Sequence, residues 1–462
     1  MKRLEKGRLY HCRRETAGQT GHLSIGSEGM SVELFDYDSF FHVDDGAVLH
    51  LRLEDSRSVS LYDTVAGGTG NRSLLGENPV TTYAAKIHAN TVVVGHQPWE
   101  ISDAIRRTSF RIKKAKSLLD NATKVRRLAS RALAFRAGDS QLFEVRSRDL
   151  TVRCWYGGSG SLDLGLNEWW PVFDIEFGEP RTLHSYLGDV HRVLRFFSAA
   201  AGFQLTPSEI SMSRFTEQEN GKRLERDLRD DLFDVEYMWA EAPVREFDLR
   251  PHYSFVCAFD AREIRSMGAC LAAWLDRSSE WEEASTLMMG SLGLHDQVSG
   301  ERLLMACRWL EKIPGAKAER TLEDEDLSAV TGAALEAAES RGLKGLEGRI
   351  SGALRTLRSE ANRDRLSRLV ATVAKRFPES GLDEATVDHL MLAQKLRGVV
   401  AHGLFEPEAG SSRALQRAFT ATEALSYLLM IKDLPLTQKG RGRATSSRLV
   451  RDYRYAKVAP DN

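Results

Sequence analysis

The hydrophobic period changes once along the chain, near residue 250, and that change constrains the fold class more than any motif does. Upstream, apolar and β-branched residues alternate in short runs at Ser31–Phe35, Val48–Leu53, Ser58–Tyr62, Thr81–Ile87, Thr91–Val94, Ser109–Ile112, Leu142–Val145, Leu150–Tyr156 and Val172–Phe177. Clusters of Gly, Asp and Asn separate them, the pattern of short antiparallel strands. One helix interrupts this half: Leu187, Val190, Leu194, Phe197 and Ala201 recur at helical steps over Leu183–Ala201, and Gly202 stands where a C-terminal cap belongs. The charge-dense segment Glu217–Asp234 reads as solvated.

Beyond the proline-bearing stretch Ala242–Pro251 the strand signals stop and the period becomes helical. Stripes form from Ile264, Met267, Leu271 and Trp274, from Leu303, Cys307 and Leu310, and from Leu366, Leu369, Val370, Val373 and Phe377. A fourth helix is predicted over Asp383–His402, and a fifth over Ser411–Ile431 with Leu415, Phe419, Thr422, Leu425 and Leu429 inside. Ala318–Asp326 and the Gly-rich run Gly342–Gly352 read as connections, with the acids Glu323–Asp326 favouring a helix N-terminus. The reading is therefore α+β: a β-rich domain of antiparallel strands plus a long helix over residues 1–245, an all-α bundle over 255–435, and a basic, flexible tail over 438–462.

Length permits these domains, since 462 residues exceed what one core of ordinary size holds. No run of about 18 apolar residues occurs, and Met1–Glu15 is charged without an apolar centre, so neither a membrane span nor a secretory signal is expected and the chain reads as cytoplasmic. Cys12, Cys154, Cys257, Cys270 and Cys307 stand singly, without CxxC or Cys/His spacing. Small buried thiols are expected rather than disulfides, a zinc site or any other metal centre.

The net charge of −1, from 64 basic and 65 acidic residues, hides strong local fields. Arg106–Arg136 carries 11 basic residues against Asp120 alone, net +10, so the remainder of residues 1–250, whose total is −2, stands at −12. Gln438–Asn462 holds 7 basic and 2 acidic groups. The first stretch, with Arg106, Arg107, Arg111, Lys113 and Lys114, suits either RNA phosphates or the acids of its own half. The tail, with Tyr453 and Tyr455 among its arginines, has the composition of a single-strand binder or of a disordered solubilising segment.

Most chemical motifs are absent. There is no GxxxxGK[ST], no HExxH and no GxSxG, and the glycine clusters Gly67, Gly68, Gly70 and Gly157, Gly158, Gly160 read as turns between strands. The carboxylate pairs Asp36/Asp38 and Asp230/Asp231 read as solvated loops. The exception is Leu396-Arg397-Gly398-Val399-Val400-Ala401-His402-Gly403 at the end of the fourth bundle helix. An arginine holds a phosphate through paired donors, and a histidine exchanges protons near neutral pH. Together they suit transesterification of RNA, in which the 2′-OH attacks its own 3′-phosphate and the 5′-oxygen leaves. Five residues along a regular helix is a rotation of about 140°, so the pair meets only if the helix ends near His402.

The segment Lys395–Glu406, KLRGVVAHGLFE, resembles the Arg-x4-6-His signature of HEPN domains. The helix Glu301–Glu311, ERLLMACRWLE, looks like the one preceding it in the ApeA-type branch, and the β-rich half with Val193–Gly202 looks like the domain joined to it. The resemblance spans about Gly21 to Leu434. It implies a bacterial anti-phage protein with a β-rich sensing domain and a HEPN ribonuclease needing no cofactor, with Arg397 on the phosphate, His402 in proton transfer and Lys395 near the RNA. It also implies a homodimer, an unidentified phage trigger and RNA with exposed loops as substrate. Members commonly carry Asn, Asp or His directly after the arginine, where this chain has Gly398. Val399, Val400 and Leu404 suit either the dimer interface or their own bundle.

Overall fold

A computed structural model describes residues 3–26, 29–36, 43–74, 80–112, 114–130, 140–161, 165–226, 228–229, 231–237, 253–277, 279–401 and 411–459. The chain divides into two compact units. The first holds Met1–Lys116, Ala122–Leu194 and Thr206–Asp248, and the second Ser117–Asn121, Arg195–Leu205 and Leu249–Asn462. The division near residue 250 follows the change of period, while Arg195–Leu205 counts with the helical unit instead of the β-rich one.

The first unit contains strands β1 (Leu9–Arg14), β2 (Thr20–Gly26), β3 (Gly29–Asp36), β4 (Leu49–Leu53), β5 (Ser58–Leu74), β6 (Val80–Gly95) and β7 (Ile105–Ile112). Helix α1 (Ala122–Ser130) precedes β8 (Gln141–Arg146), β9 (Leu150–Ser161) and β10 (Gly165–Arg181). Then come α2 (Tyr186–Ala201), β11 (Pro207–Ser213), α3 (Glu217–Leu224) and β12 (Phe233–Tyr237). All the pairings are antiparallel, in the order β3-β2-β1-β4-β5-β6-β12-β11-β7-β10-β9-β8. β3 also pairs with β6, from Met30 opposite Ala89 to Asp36 opposite Tyr83, and this closes the first six strands into a barrel. Closure removes the exposed edges that such strands otherwise present. Alternation puts Leu23, Val32, Leu34, Leu51, Val59 and Ile87 inside, each at most 1% exposed. Past Ala89, β6 leaves β3 and takes β12 along Thr91–Val94, so one long strand serves both the barrel and the open sheet.

Several expectations change here. Thr81–Ile87 and Thr91–Val94 are one strand, and β1, β2, β11 and β12 are additional. The glycine clusters lie within β5 and β9 rather than in turns. Gly68 sits at φ +126° beside a register shift, and a Cβ on Gly157 would stand 2.8 Å from the Trp170 indole nitrogen, so these glycines serve a bulge and a close cross-strand contact. Glu217–Asp234 is not simply solvated. Thr216 and Glu219 form a capping box at the start of α3, and Asp231 and Asp234 are buried. Asp231 faces Arg214, whose guanidinium lies over Trp99 and Phe233 at 4.7 and 4.6 Å.

The second unit contains α4 (Ala261–Leu275), α5 (Glu280–Gly293), α6 (Gly300–Lys312), α7 (Asp324–Ser340), α8 (Glu347–Leu354) and α9 (Asn362–Arg376). It continues with α10 (Glu384–Ala401), α11 (Ser411–Ile431), α12 (Gln438–Thr445) and α13 (Arg448–Val458). The predicted stripes of α6, α9 and α11 are buried, and Glu323–Asp326 marks the start of α7. The presumed connections contain the start of α7 and most of α8, neither of which has a buried residue. The tail is not a flexible extension: it folds as α12 and α13, because Leu449, Val450, Tyr453 and Ala456 make a helical stripe that is fully buried. Among the described residues no helix is long and apolar enough to cross a membrane. All five cysteines are buried and unpaired.

α11 is apolar nearly all round, from Leu415 through Ala418, Leu425 and Leu428 to Ile431, as a central helix must be. Within it stands Glu423, with its side chain 2% exposed. Arg302 on α6 meets it with two parallel bonds, Nε to Oε1 at 2.9 Å and Nη2 to Oε2 at 2.7 Å. Ser291 on α5 donates a third at 2.7 Å. Removing one partner of such a pair strands a buried charge, so Glu423→Ala is expected to cost about 3–5 kcal/mol, read by denaturant unfolding. A loss below about 1 kcal/mol would show that the pair is not structural.

Glu263 on α4 is a second anchor. Burial alone would raise its carboxyl, but bonds from the Cys257 thiol at 2.7 Å, the Lys439 ammonium at 2.7 Å and Arg443 at 2.8 Å pull it down to about 2. A depressed carboxyl stabilises the fold above its unfolded value, 4.5, and that contribution fades as pH falls from 4.5 toward 2. Acid unfolding should therefore lose about 3 kcal/mol across that window, and Glu263→Gln should flatten this limb while lowering stability at pH 7.

Candidate active site

The Arg397 motif is carried by α10, whose inner face supplies Val387, Leu390 and Ala393 to the core. Near its C-terminal end, Leu396 and Val400 pack against a cluster of Leu303, Ala306, Cys307, Leu415 and Phe419 from α6 and α11. A Cβ on Gly300 would lie 2.7 Å from Val400, so this glycine lets α6 and α10 approach. Val400 thus serves its own bundle, and Leu404 lies outside the described residues.

Arg397 stands on the outer flank of the same turn, its side chain one-third exposed. Its Nη1 donates a short bond to Oε1 of Glu311, at the end of α6 and equally exposed. A guanidinium has five N–H donors, and this pair engages one. Arg365 on α9 lies within the field of Glu311. Burial lowers its pKa while Glu311 supports its charge, and its Nη2 donates to Asn362 at 2.9 Å. Beneath Arg397, burial pushes the Cys307 thiol up to about 12, so it takes no part as a nucleophile. The Arg397–Glu311 pair at the surface leaves guanidinium donors for a phosphate that displaces or shares Glu311.

Lys395 is exposed on α10. His402 lies outside the described residues, and so does Lys113. The helix runs unbroken from Arg397 to Ala401. Sequence reasoning missed Glu311 and Arg365. Glu311 carried a signal, since it follows Cys307 by four residues and so shares that residue's helical face.

The basic stretch of the first unit is placed against its own acids. Arg111 meets Glu209 at 2.5 Å and lies 3.9 Å over Trp170, and Arg106 meets Glu219 at 3.7 Å. Asp174 is buried, which raises its carboxyl, while Arg107 and the Ser109 hydroxyl pull the other way. Lys114 is exposed at φ +69°. Arg106, Arg107 and Arg111 thus each face an acid of their own unit, while Lys114 stays exposed.

Comparison of the chain with models of known protein families, with curated proteins and with solved structures finds no match.

Gly398 is exposed and a Cβ there meets nothing within 4 Å. Gly398→Ala should therefore raise stability by about 0.5–1 kcal/mol through helix propensity alone. A loss on thermal unfolding would mean that the glycine serves backbone freedom near the motif.

Proposed function

We propose that the chain is an anti-phage endoribonuclease of the HEPN type, acting without metal, with the β-rich unit as its sensing part. The observation that carries the reading is Arg397: a surface-held guanidinium on the penultimate long helix of the bundle's core, braced by Glu311 and five residues before His402. In the proposed reaction His402 takes the proton of a ribose 2′-OH, and the freed oxygen attacks the adjacent phosphorus. The bond from phosphorus to the 5′-oxygen breaks, and that oxygen leaves with a proton from an acid, a role a second His402 fills in a homodimer. Arg397 neutralises the charge growing on the phosphoryl oxygens. Single-stranded loops suit this chemistry, because the 2′-OH must swing into line with the leaving oxygen.

A second reading is a phage-component or RNA sensor that keeps the helical fold for dimerisation. The Arg397–Glu311 pair and the bare Gly398 favour it, since both reduce the donors offered to a phosphate. Phage plaque counts and RNA cleavage in EDTA separate the two. Wild type is expected to protect cells and cut RNA, Arg397→Ala and His402→Ala to lose at least 100-fold in each, and Glu311→Gln to change the cleavage rate with the fold intact. Equal activity of the wild type and His402→Ala would overturn the enzyme reading.

A further inference from the structure

The outer face of the barrel carries a cavity of about 470 Å³ that the proposed ribonuclease chemistry does not use. His11, Arg13, His22, Phe35, Arg52 and Glu54 line it. Its floor depends on Gly21, where a Cβ would stand 2.0 Å from the Glu33 carbonyl oxygen, so β2 and β3 approach there only with glycine.

Two features mark the cavity as more than a groove between strands. Arg13 and Arg52 are directly opposed across β1 and β4. Like charges in that position destabilise a sheet unless something negative lies between or beside them. Arg52 is steadied by Glu15 at 3.1 Å and by the carbonyls of Ser56 and His96, whereas the Arg13 guanidinium has no hydrogen bond or ion pair among the described residues. The second feature is a short aromatic file. His11 and His22 are cross-strand partners with ring centroids 4.5 Å apart, and His22 meets Phe35 at 5.9 Å, both edge-to-face. The His22 Nδ1 is shut from solvent with no partner, so a shift of this ring toward a ligand sacrifices no hydrogen bond at that atom.

From this arrangement we infer that the barrel face binds a nucleotide, its phosphate between Arg13 and Arg52 and its base against the His11–His22–Phe35 rings. Paired guanidiniums are the strongest side-chain match to a phosphate, and ring faces and edges hold any base. Glu54 supplies an acceptor for the amino edge of a base and favours guanine or adenine over uracil. The shared chemistry belongs both to a free nucleoside phosphate and to the end of a single strand.

The test uses the full chain and two fluorescent probes: mant-GTP, and a 2′-O-methyl RNA hexamer with a 5′-phosphate and a 3′ dye. The hexamer lacks the 2′-OH and resists cleavage, and because Arg397 and His402 are intact in every protein tested, a loss of binding in the barrel variants reports the barrel face and not the ribonuclease site. Saturable binding of either probe, weakened at least tenfold by Arg13→Ala and by His22→Ala, is expected, and the tighter probe identifies the source. Arg13 is exposed and unpaired, so its variant keeps the fold. No saturable binding by wild type, or the same Kd in Arg13→Ala, overturns the inference. Inorganic pyrophosphate competing as well as unlabelled GTP overturns the base contact and with it the nucleotide.

Discussion

The helical unit depends on a charge placed where an apolar residue would cost less. Glu423 sits in the middle of α11, a helix buried on nearly every side, and a lone carboxylate there would be intolerable. Arg302 answers it with a forked bond, lies 4.2 Å over Phe419, and donates to the carbonyls of His295 and Gln297. The pair therefore links α5, α6 and α11 at one buried point. Its effect reaches the candidate site through geometry. Glu311 lies one turn beyond Cys307 on α6, so the helix that Arg302 ties to α11 is the one that presents Glu311 at its end.

The electrostatics of the two units differ in kind. In the first, Arg111, Arg106 and Arg107 of the basic stretch face Glu209, Glu219 and Asp174, and Arg111 and Lys116 lie over Trp170 and Trp169. In the second, one cation, Arg302, is buried against Glu423, while Arg397 shares a carboxylate at the surface and Lys395 is exposed. A local excess of charge in a sequence is thus a poor guide to its partner, because partners distant in sequence neutralise it on folding.

What was legible followed periodicity. The α+β class, the change near residue 250, and α9, α10 and α11 were all readable, because buried helices repeat their apolar residues over three or more turns. What was not legible depended on contacts between distant segments. β1 and β2 carry His, Arg and Thr on their outer face, and only the barrel's closure makes their alternation visible. The glycines of β5 and β9 looked like turns because a bulge and a tryptophan contact leave the same residue behind. In the tail the arginines dominate the composition, although the spacing of Leu449, Val450, Tyr453 and Ala456 describes a buried helix. At the candidate site Arg397 was legible by motif, whereas Glu311 becomes a partner only once α6 and α10 are packed.

That packing decides what the ion pair is for. Glu311 and Arg397 are each about one-third exposed, and an ion pair so placed is worth about 0–1 kcal/mol, too little to hold the bundle together. The apolar seam of Leu396, Val400, Cys307 and Leu415 does that instead. A weak pair at a rim still restricts a long side chain, keeping the guanidinium aimed outward at small cost. A phosphate brings more than one oxygen to the fork and forms stronger charge-assisted bonds than a single carboxylate contact, so it can take the place of Glu311 without disturbing the helices beneath. The same pair would be a poor device if it were buried, because exchanging partners would then expose an uncompensated charge. Its position at the surface, above the apolar seam and at the end of a helix that Glu423 anchors, is what lets a firm scaffold carry an exchangeable contact.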